Sequence, residues 1–248
     1  MSKSIHIFGF HSVESLLRTN PESVIKVFIL NNRKDKRVNE LVNTLTNQNI
    51  AFSSVDKNDL DRIAKGEIHQ GVISEVILPP LLNEESLFKS IIDNSLKPLI
   101  LVLDSIQDPR NLGACLRSAN AAGVDYVVIN KDGSAPINAV VHKTSAGAIN
   151  SLKIFHVTNL SRTIKEMQKR GIWVIGLDGN SKSTIYGVDL TDATAVVMGS
   201  EGKGIRKLIK KTCDQIVTIP MSGNIESLNV SVATGIALFE SKRQRESS

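Results

Sequence analysis

Apolar positions along this chain alternate between two spacings. Short runs of β-branched and aliphatic residues read as strands, and stretches with apolar residues three and four apart read as helices. In the first part the runs are Val24–Leu30, Ile50–Val55 and Val72–Ile77. Helical spacing occurs at Val13, Leu16 and Leu17, at Val38, Leu41, Val42 and Leu45, and over Asn58–Ala64. Ser12 stands where a cap for the first helix is expected, and Asn20-Pro21 where that helix stops. This alternation predicts a small α/β unit with a partly parallel sheet. Pro79-Pro80 marks a boundary, and a short helix over Glu85–Asp93 follows it.

Beyond Lys97-Pro98 the pattern restarts with Leu99–Leu103, an apolar run that suits a strand covered on both faces. A loop over Asp104–Arg110 leads to a helix that Asn111 can cap, with Leu112, Cys115, Leu116 and Ala119 facing inward and Arg117 on its second turn. Strands follow at Tyr126–Ile129, Phe155–Val157 and Trp173–Leu177, with an amphipathic helix over Leu160–Arg170 ending at Gly171. Ala195–Met198 is a further strand, Gly199–Gly204 a glycine-rich turn carrying one carboxylate, and Ile205–Lys211 helical. Ile216–Ile219 is a strand stopped by Pro220, Ser222–Glu226 a loop, and Leu228–Lys242 a long helix with a frayed basic tail. Two glycine- and serine-rich loops thus follow the carboxyl ends of two strands, where open α/β sheets bind their ligands.

Composition narrows the class without deciding it. The chain has 248 residues and 41% hydrophobic content, enough for one large domain or two modest ones with real cores. The net charge of +5 permits a polyanionic partner without demanding one. That excess lies mainly beyond residue 77, where 20 basic residues face 16 acidic ones, against 10 and 9 before it. The early cations cluster at Arg33, Lys34, Lys36 and Arg37, as a solvated loop or an RNA phosphate contact. No apolar run approaches the roughly 20 residues of a membrane span, and Met1–His6 lacks the apolar region of a signal peptide. Cys115 and Cys213 match no metal or redox spacing. A cytoplasmic, metal-free protein with reduced thiols is expected.

The glycines of the Gly199–Gly204 turn match neither a P-loop nor the dinucleotide fingerprint. Taken locally, they read equally as a structural turn or a ligand loop. The combination of three segments is more specific. Asn111-Leu112-Gly113 leads to Arg117-Ser118-Ala119, Gly199-Ser200-Glu201-Gly202 continues to Gly204, and Ile219-Pro220-Met221 precedes Ser227-Leu228-Asn229-Val230-Ser231-Val232-Ala233. In this order they resemble the three motifs of the SpoU (TrmH-like) branch of the SPOUT RNA methyltransferases, over roughly residues 98–243. Gly9-Phe10-His11-Ser12-Val13 and His69-Gln70-Gly71-Val72 resemble the subgroup with an amino-terminal L30e-like substrate-binding domain.

The resemblance implies an α/β protein of two domains. Residues 1–77 would grip RNA, 78–97 would link, and 98–248 would form the methyltransferase domain with its deep trefoil knot. It implies S-adenosylmethionine as cofactor, an RNA ribose 2′-hydroxyl as acceptor, and a homodimer through the carboxyl-terminal domain. The amino-terminal signatures most resemble enzymes that methylate a guanosine in large-subunit rRNA. A tRNA ribose methyltransferase and a non-catalytic RNA-binding protein are the competing readings. Gly199, Ile219 and Leu228 match the cofactor-contacting positions, with Met198, Ser200, Pro220 and Met221 lining the same pocket. Arg117 matches the reactive-centre arginine and Asn111 its hydrogen-bonding partner. A guanidinium is a poor base, so RNA positioning suits Arg117 better than proton abstraction. Glu201 orients Arg117 or the ligand, or serves a helix start. Ser227 and Asn229 hydrogen-bond RNA or hold the loops, or Ser227 caps the last helix.

Overall fold

The computed structural model describes residues 4–33, 35–77, 82–93, 97–223, 225 and 227–247. Lys34, the Pro79-Pro80 boundary, most of the linker after it and Glu226 lie outside the described residues. In chain order the strands and helices are β1 (Ser4–Phe8), α1 (Phe10–Thr19), β2 (Val24–Leu30), α2 (Lys36–Asn47), β3 (Phe52–Val55), α3 (Lys57–Ala64) and β4 (Val72–Ile77). Then come α4 (Glu84–Asp93), β5 (Leu99–Asp104), α5 (Pro109–Ala122), β6 (Tyr126–Asn130), α6 (Ala139–Thr144), β7 (Lys153–Val157) and α7 (Leu160–Gln168). The chain continues with β8 (Trp173–Leu177), β9 (Thr194–Gly199), α8 (Lys207–Thr212), β10 (Gln215–Val217) and α9 (Val230–Glu246).

Contacts group the chain into two units, one of Met1–Pro80 with Ile137–Ser151 and one of Leu81–Pro136 with Leu152–Ser248. The sequence reading leaves Ile137–Ser151 with the later part of the chain; here its helix α6 packs on β1 in the first unit.

The first unit holds a four-stranded sheet of order β1-β4-β2-β3. Only β2 and β3 are parallel, while β4 runs antiparallel to both β1 and β2. Strand β1 was not anticipated: its apolar residues are few, and it forms by pairing with β4, Ser4 opposite Ile77. Ser12 does not cap α1, which begins at Phe10 with Gly9 at the cap position. The basic loop is largely engaged inside the unit. Arg33 and Arg37 lie over the Phe10 ring at 4.7 and 4.9 Å. Arg37 is also bidentate to Glu14 at 2.8 Å, and Arg33 pairs with Asp35. That favours the local reading for these two cations and leaves Lys36 free-standing, its side chain 91% exposed.

The second unit is built on a six-stranded sheet of order β10-β8-β9-β5-β6-β7, parallel throughout. Every residue of β5, β6 and β9 is buried, as a sheet covered on both faces requires. Ile100, Val102, Val128, Val174, Ala195 and Val197 belong to one core cluster that also takes Leu160, Ile164 and Met167 from α7. Each fully buried aliphatic side chain contributes roughly 1.5–3 kcal/mol. The late strand β9 inserts between β5 and β8, so Asp104 and Gly199 end adjacent strands as register partners. The loops after β5 and β9 therefore emerge side by side at the carboxyl edge.

Candidate active site

Helix α5 starts two residues earlier than expected. Asp108 is its cap, accepting from Arg110 N–H at 2.8 Å, and Pro109 takes the first helical position, where its missing N–H costs nothing. Asn111 is therefore not a cap and its side chain is free to look outward, while Arg117 falls on the third turn. Helix α9 likewise starts at Val230, not Leu228, and its cap is Asn229 rather than Ser227. Asn229 Oδ1 accepts from Ser231 N–H at 2.9 Å and from Ser231 Oγ at 2.5 Å.

The other half of the Asn229 amide gathers the three sequence segments. Its Nδ2 donates to Asn111 Oδ1 at 3.1 Å and to Glu201 Oε1 at 2.6 Å. One side-chain amide thus ties together residues from α5, from the loop after β9 and from the start of α9. Glu201 is not at a helix start, since α8 begins only at Lys207; its carboxylate faces Asn229 instead. Packing of α9 on α5 supports this junction, with Cys115 Sγ 3.4 Å from Thr234 Oγ1. Burial there pushes the Cys115 thiol up to about 11, so it stays protonated and inert.

The Gly199–Gly204 turn is closed on itself. Gly204 N–H donates to Ser200 O at 2.8 Å, Lys203 N–H to Glu201 O at 2.9 Å, and Gly202 and Gly204 take φ of +75° and +63°. A Cβ on Gly199 would overlap the backbone of Gly204 and Ile205. Glycine is required there by the turn's own backbone. The far end is anchored by Asp104, which the sequence reading passed over. Its fully buried carboxylate accepts from Arg206 N–H at 2.9 Å and from Arg206 Nε at 2.6 Å. A lone acid ending an otherwise apolar strand was the available signal; its partner lies 102 positions away. The loop after β8 holds a further fixed anion, Asp178. Burial acts to raise its pKa, but Lys210 at 2.8 Å and the Asn180 N–H outweigh that and hold it below the usual carboxylate range.

Arg117 is not part of the junction. It is exposed and has no ion pair or hydrogen bond within the described residues. At 100° per residue it points about 120° around α5 from Asn111. Ser227 is exposed as well.

Of the expected cofactor residues, Met198 and Gly199 are buried at the end of β9, and Ser200, Ile219 and Leu228 are half-buried. Pro220 and Met221 are exposed on the loop after β10, as is Ile225 at 61%. Apolar side chains left to solvent beside closely spaced loop backbone fit a ligand with a flat ring and a polar tail, which is the chemistry of S-adenosylmethionine. No cluster of three or more His, Cys, Asp or Glu occurs among the described residues.

An open parallel sheet, with a polar junction and unsatisfied apolar side chains at its carboxyl edge, defines an α/β ligand-binding domain of the kind that handles nucleotide-like ligands. The SpoU rRNA Methylase family model matches residues 98–239, and a model for RNA 2′-O ribose methyltransferase substrate binding matches residues 6–80. The chain belongs to the SpoU rRNA methylase family. A relative from Haemophilus ducreyi, named 23S rRNA (guanosine-2′-O-)-methyltransferase RlmB, is 46% identical over 243 residues, covering 98% of both chains. The protein of that name from Escherichia coli K12 is 44% identical over 239 residues, covering 96% of this chain and 98% of its own. The crystal structure of the SpoU methyltransferase AviRb from Streptomyces viridochromogenes, in complex with the cofactor AdoMet, matches with a TM-score of 0.78 at 22% identity. The match covers 99% of this chain and 92% of that one, and shows the shared fold.

Proposed function

We propose that this protein methylates the ribose 2′-hydroxyl of a guanosine in 23S rRNA, using S-adenosylmethionine. The observation that carries the proposal is the convergence of Asn111, Glu201 and Asn229 on one amide at the carboxyl edge of the sheet. Relatives that match over nearly the whole chain and bear that activity in their names support it.

The bound cofactor supplies an activated methyl on a sulfonium. The methyl carbon forms a bond to the ribose O2′ as its bond to sulfur breaks, and the hydroxyl loses its proton. The protein's share is to align the two partners and hold the RNA. The loops carrying Met198, Gly199, Ser200, Ile219, Pro220, Met221 and Leu228 bind the cofactor. The Asn111–Asn229–Glu201 junction fixes those loops against α5. Arg117, free of internal partners, grips the RNA backbone through its planar fork. Ser227, exposed beside the junction, offers a hydroxyl to the RNA. Residues 1–77 recognise the substrate and 98–248 carry out transfer, through a knotted arrangement of the carboxyl-terminal segments. The protein acts in the cytoplasm as a homodimer; Val232, Ile236 and Phe239 form a stripe on α9 that its own unit leaves partly or fully exposed.

The test is direct. S-adenosylhomocysteine should bind the purified protein in a calorimeter, and labelled methyl should appear on a guanosine ribose of large-subunit rRNA lacking that modification. Transfer to tRNA in place of rRNA would overturn the substrate, and absence of both binding and transfer would overturn the enzyme.

A further inference from the structure

The first unit contains a cavity of about 100 Å³ that no step of the proposed reaction uses. Its walls come from β1 and α1 on one side and from α6 and the 3-10 turn Ala148–Asn150 on the other. Gly147 allows the close approach, with φ +89° and a Cβ position only 2.8 Å from Ser15 Oγ. The volume is several times what a single water needs.

Polar atoms inside it are without partners. Asn150 has neither Oδ1 nor Nδ2 hydrogen-bonded, though both are buried, and His142 Nε2 is in the same state on a residue only 5% exposed. Buried amides and imidazoles in folded proteins nearly always have partners, because an unpaired one costs roughly 1–3 kcal/mol. Three such atoms lining one cavity point to an occupant. Ile7 and Leu16 supply apolar wall, while His11 and Lys143 are exposed at the margin. Burial lowers the His142 pKa to about 4, so the interior is neutral at pH 7 and cationic groups are confined to the rim.

We propose that this cavity takes an unpaired adenine base of the RNA substrate. Asn150 presents an acceptor and a donor side by side, which matches the donor and acceptor on one edge of adenine. The neutral, partly apolar interior suits a base rather than a phosphate, and Lys143 at the rim suits the phosphate that comes with it. Recognition of splayed-out single-stranded bases is the common mode for sequence-specific RNA binding. The inference rests on the proposed RNA substrate and adds a base-reading site away from the junction residues.

The test uses the full-length protein and two short single-stranded oligoribonucleotides, a uridine pentamer and the same pentamer with a central adenosine. Affinity by fluorescence anisotropy should favour adenosine by about tenfold, the range for one good bidentate pair. Asn150→Leu should remove that preference while leaving S-adenosylhomocysteine affinity unchanged. It should also leave the melting temperature level or raise it, since it replaces unpaired polar atoms with apolar ones. Ser12→Met, which fills the cavity from α1, should act likewise. No adenosine preference in the unaltered protein, or a preference that survives both variants, would mean the cavity holds only water and would overturn the proposal. If rRNA is methylated normally in that case, the proposed function stands and only the base site falls. Loss of S-adenosylhomocysteine binding and transfer in the unaltered protein would instead sink the enzymatic reading.

Discussion

Arg117 and Asn229 show two ways a polar residue can serve one site. Arg117 has no internal partner, so its removal costs the fold little, and alanine is the better helix former. Arg117→Ala should therefore lower methyl transfer by about 10²-fold or more while S-adenosylhomocysteine affinity stays near its original value. Arg117→Lys should recover little, because an ammonium does not reproduce the two-pronged contact. Calorimetry and turnover on rRNA, measured together, check both. Asn229 is the opposite case, since its amide joins three elements. Asn229→Asp keeps the cap on α9, for an aspartate also accepts from Ser231 N–H. It loses the donor and sets a second carboxylate against Glu201, where the bond is now 2.6 Å. Like charges that close raise the pKa of one of them in the folded state. The variant is then destabilised where both carboxylates are ionised and relieved as pH falls through the raised pKa. Its melting temperature should trail the parent's by several degrees at pH 7 and approach it near pH 4–5. A deficit independent of pH would show that the Glu201 contact carries no electrostatic weight.

At the scale of elements, what was legible in the sequence was what depends on neighbours along the chain. Leu99–Leu103 and Ala195–Met198 lack charge and had to be buried strands, and β5 and β9 are that. The helix faces of α2 and α5 follow from the spacing of Leu41 and Leu45, and of Leu112, Cys115 and Leu116, all buried. Element ends were less legible, because Asp108 and Asn111, or Ser227 and Asn229, are equally good caps by type. Strand β1 and the tail depended on distant partners. The tail is not frayed: α9 runs to Glu246, and Arg245 donates to the carbonyls of Leu190, Lys97 and Asp192 at 2.6–2.9 Å. The residues of the junction could be named from motif resemblance, but their meeting on one amide spans 118 positions and no local pattern encodes it. Arg245→Ala should lower stability by about 1–3 kcal/mol, the range for charge-assisted hydrogen bonds, with cofactor affinity unchanged. Gly199→Ala should behave differently. The added methyl collides with the turn's own backbone, so the loop must move. Stability and S-adenosylhomocysteine affinity should fall together. A variant that melted like the parent and lost only affinity would show that the glycine makes room for the ligand alone.

For the whole molecule, the open question in physical terms is what covers α9. Its buried side rests on α5, and Val230, Ala237 and Leu238 are out of solvent. Val232 and Phe239, seven residues apart and so on one face, are 50% and 47% exposed. A second copy of the chain is the partner that the proposed homodimer supplies, and a two-fold axis would let the stripe meet itself. The exposed Arg117, which has no use for its charge within the chain, is consistent with a site completed across such an axis. Light scattering at micromolar concentration should then give twice the chain mass of 27.0 kDa. Phe239→Glu should shift it towards the monomer, because a charge at the centre of an apolar contact is costly to desolvate. Both positions are exposed in the single chain, so the variant should fold with an unchanged circular dichroism spectrum. Methyl transfer should fall with the dimer fraction and recover as protein concentration is raised. A stable monomer of full activity in the unaltered protein would remove the dimer from the proposal and leave the α9 stripe without an assigned partner.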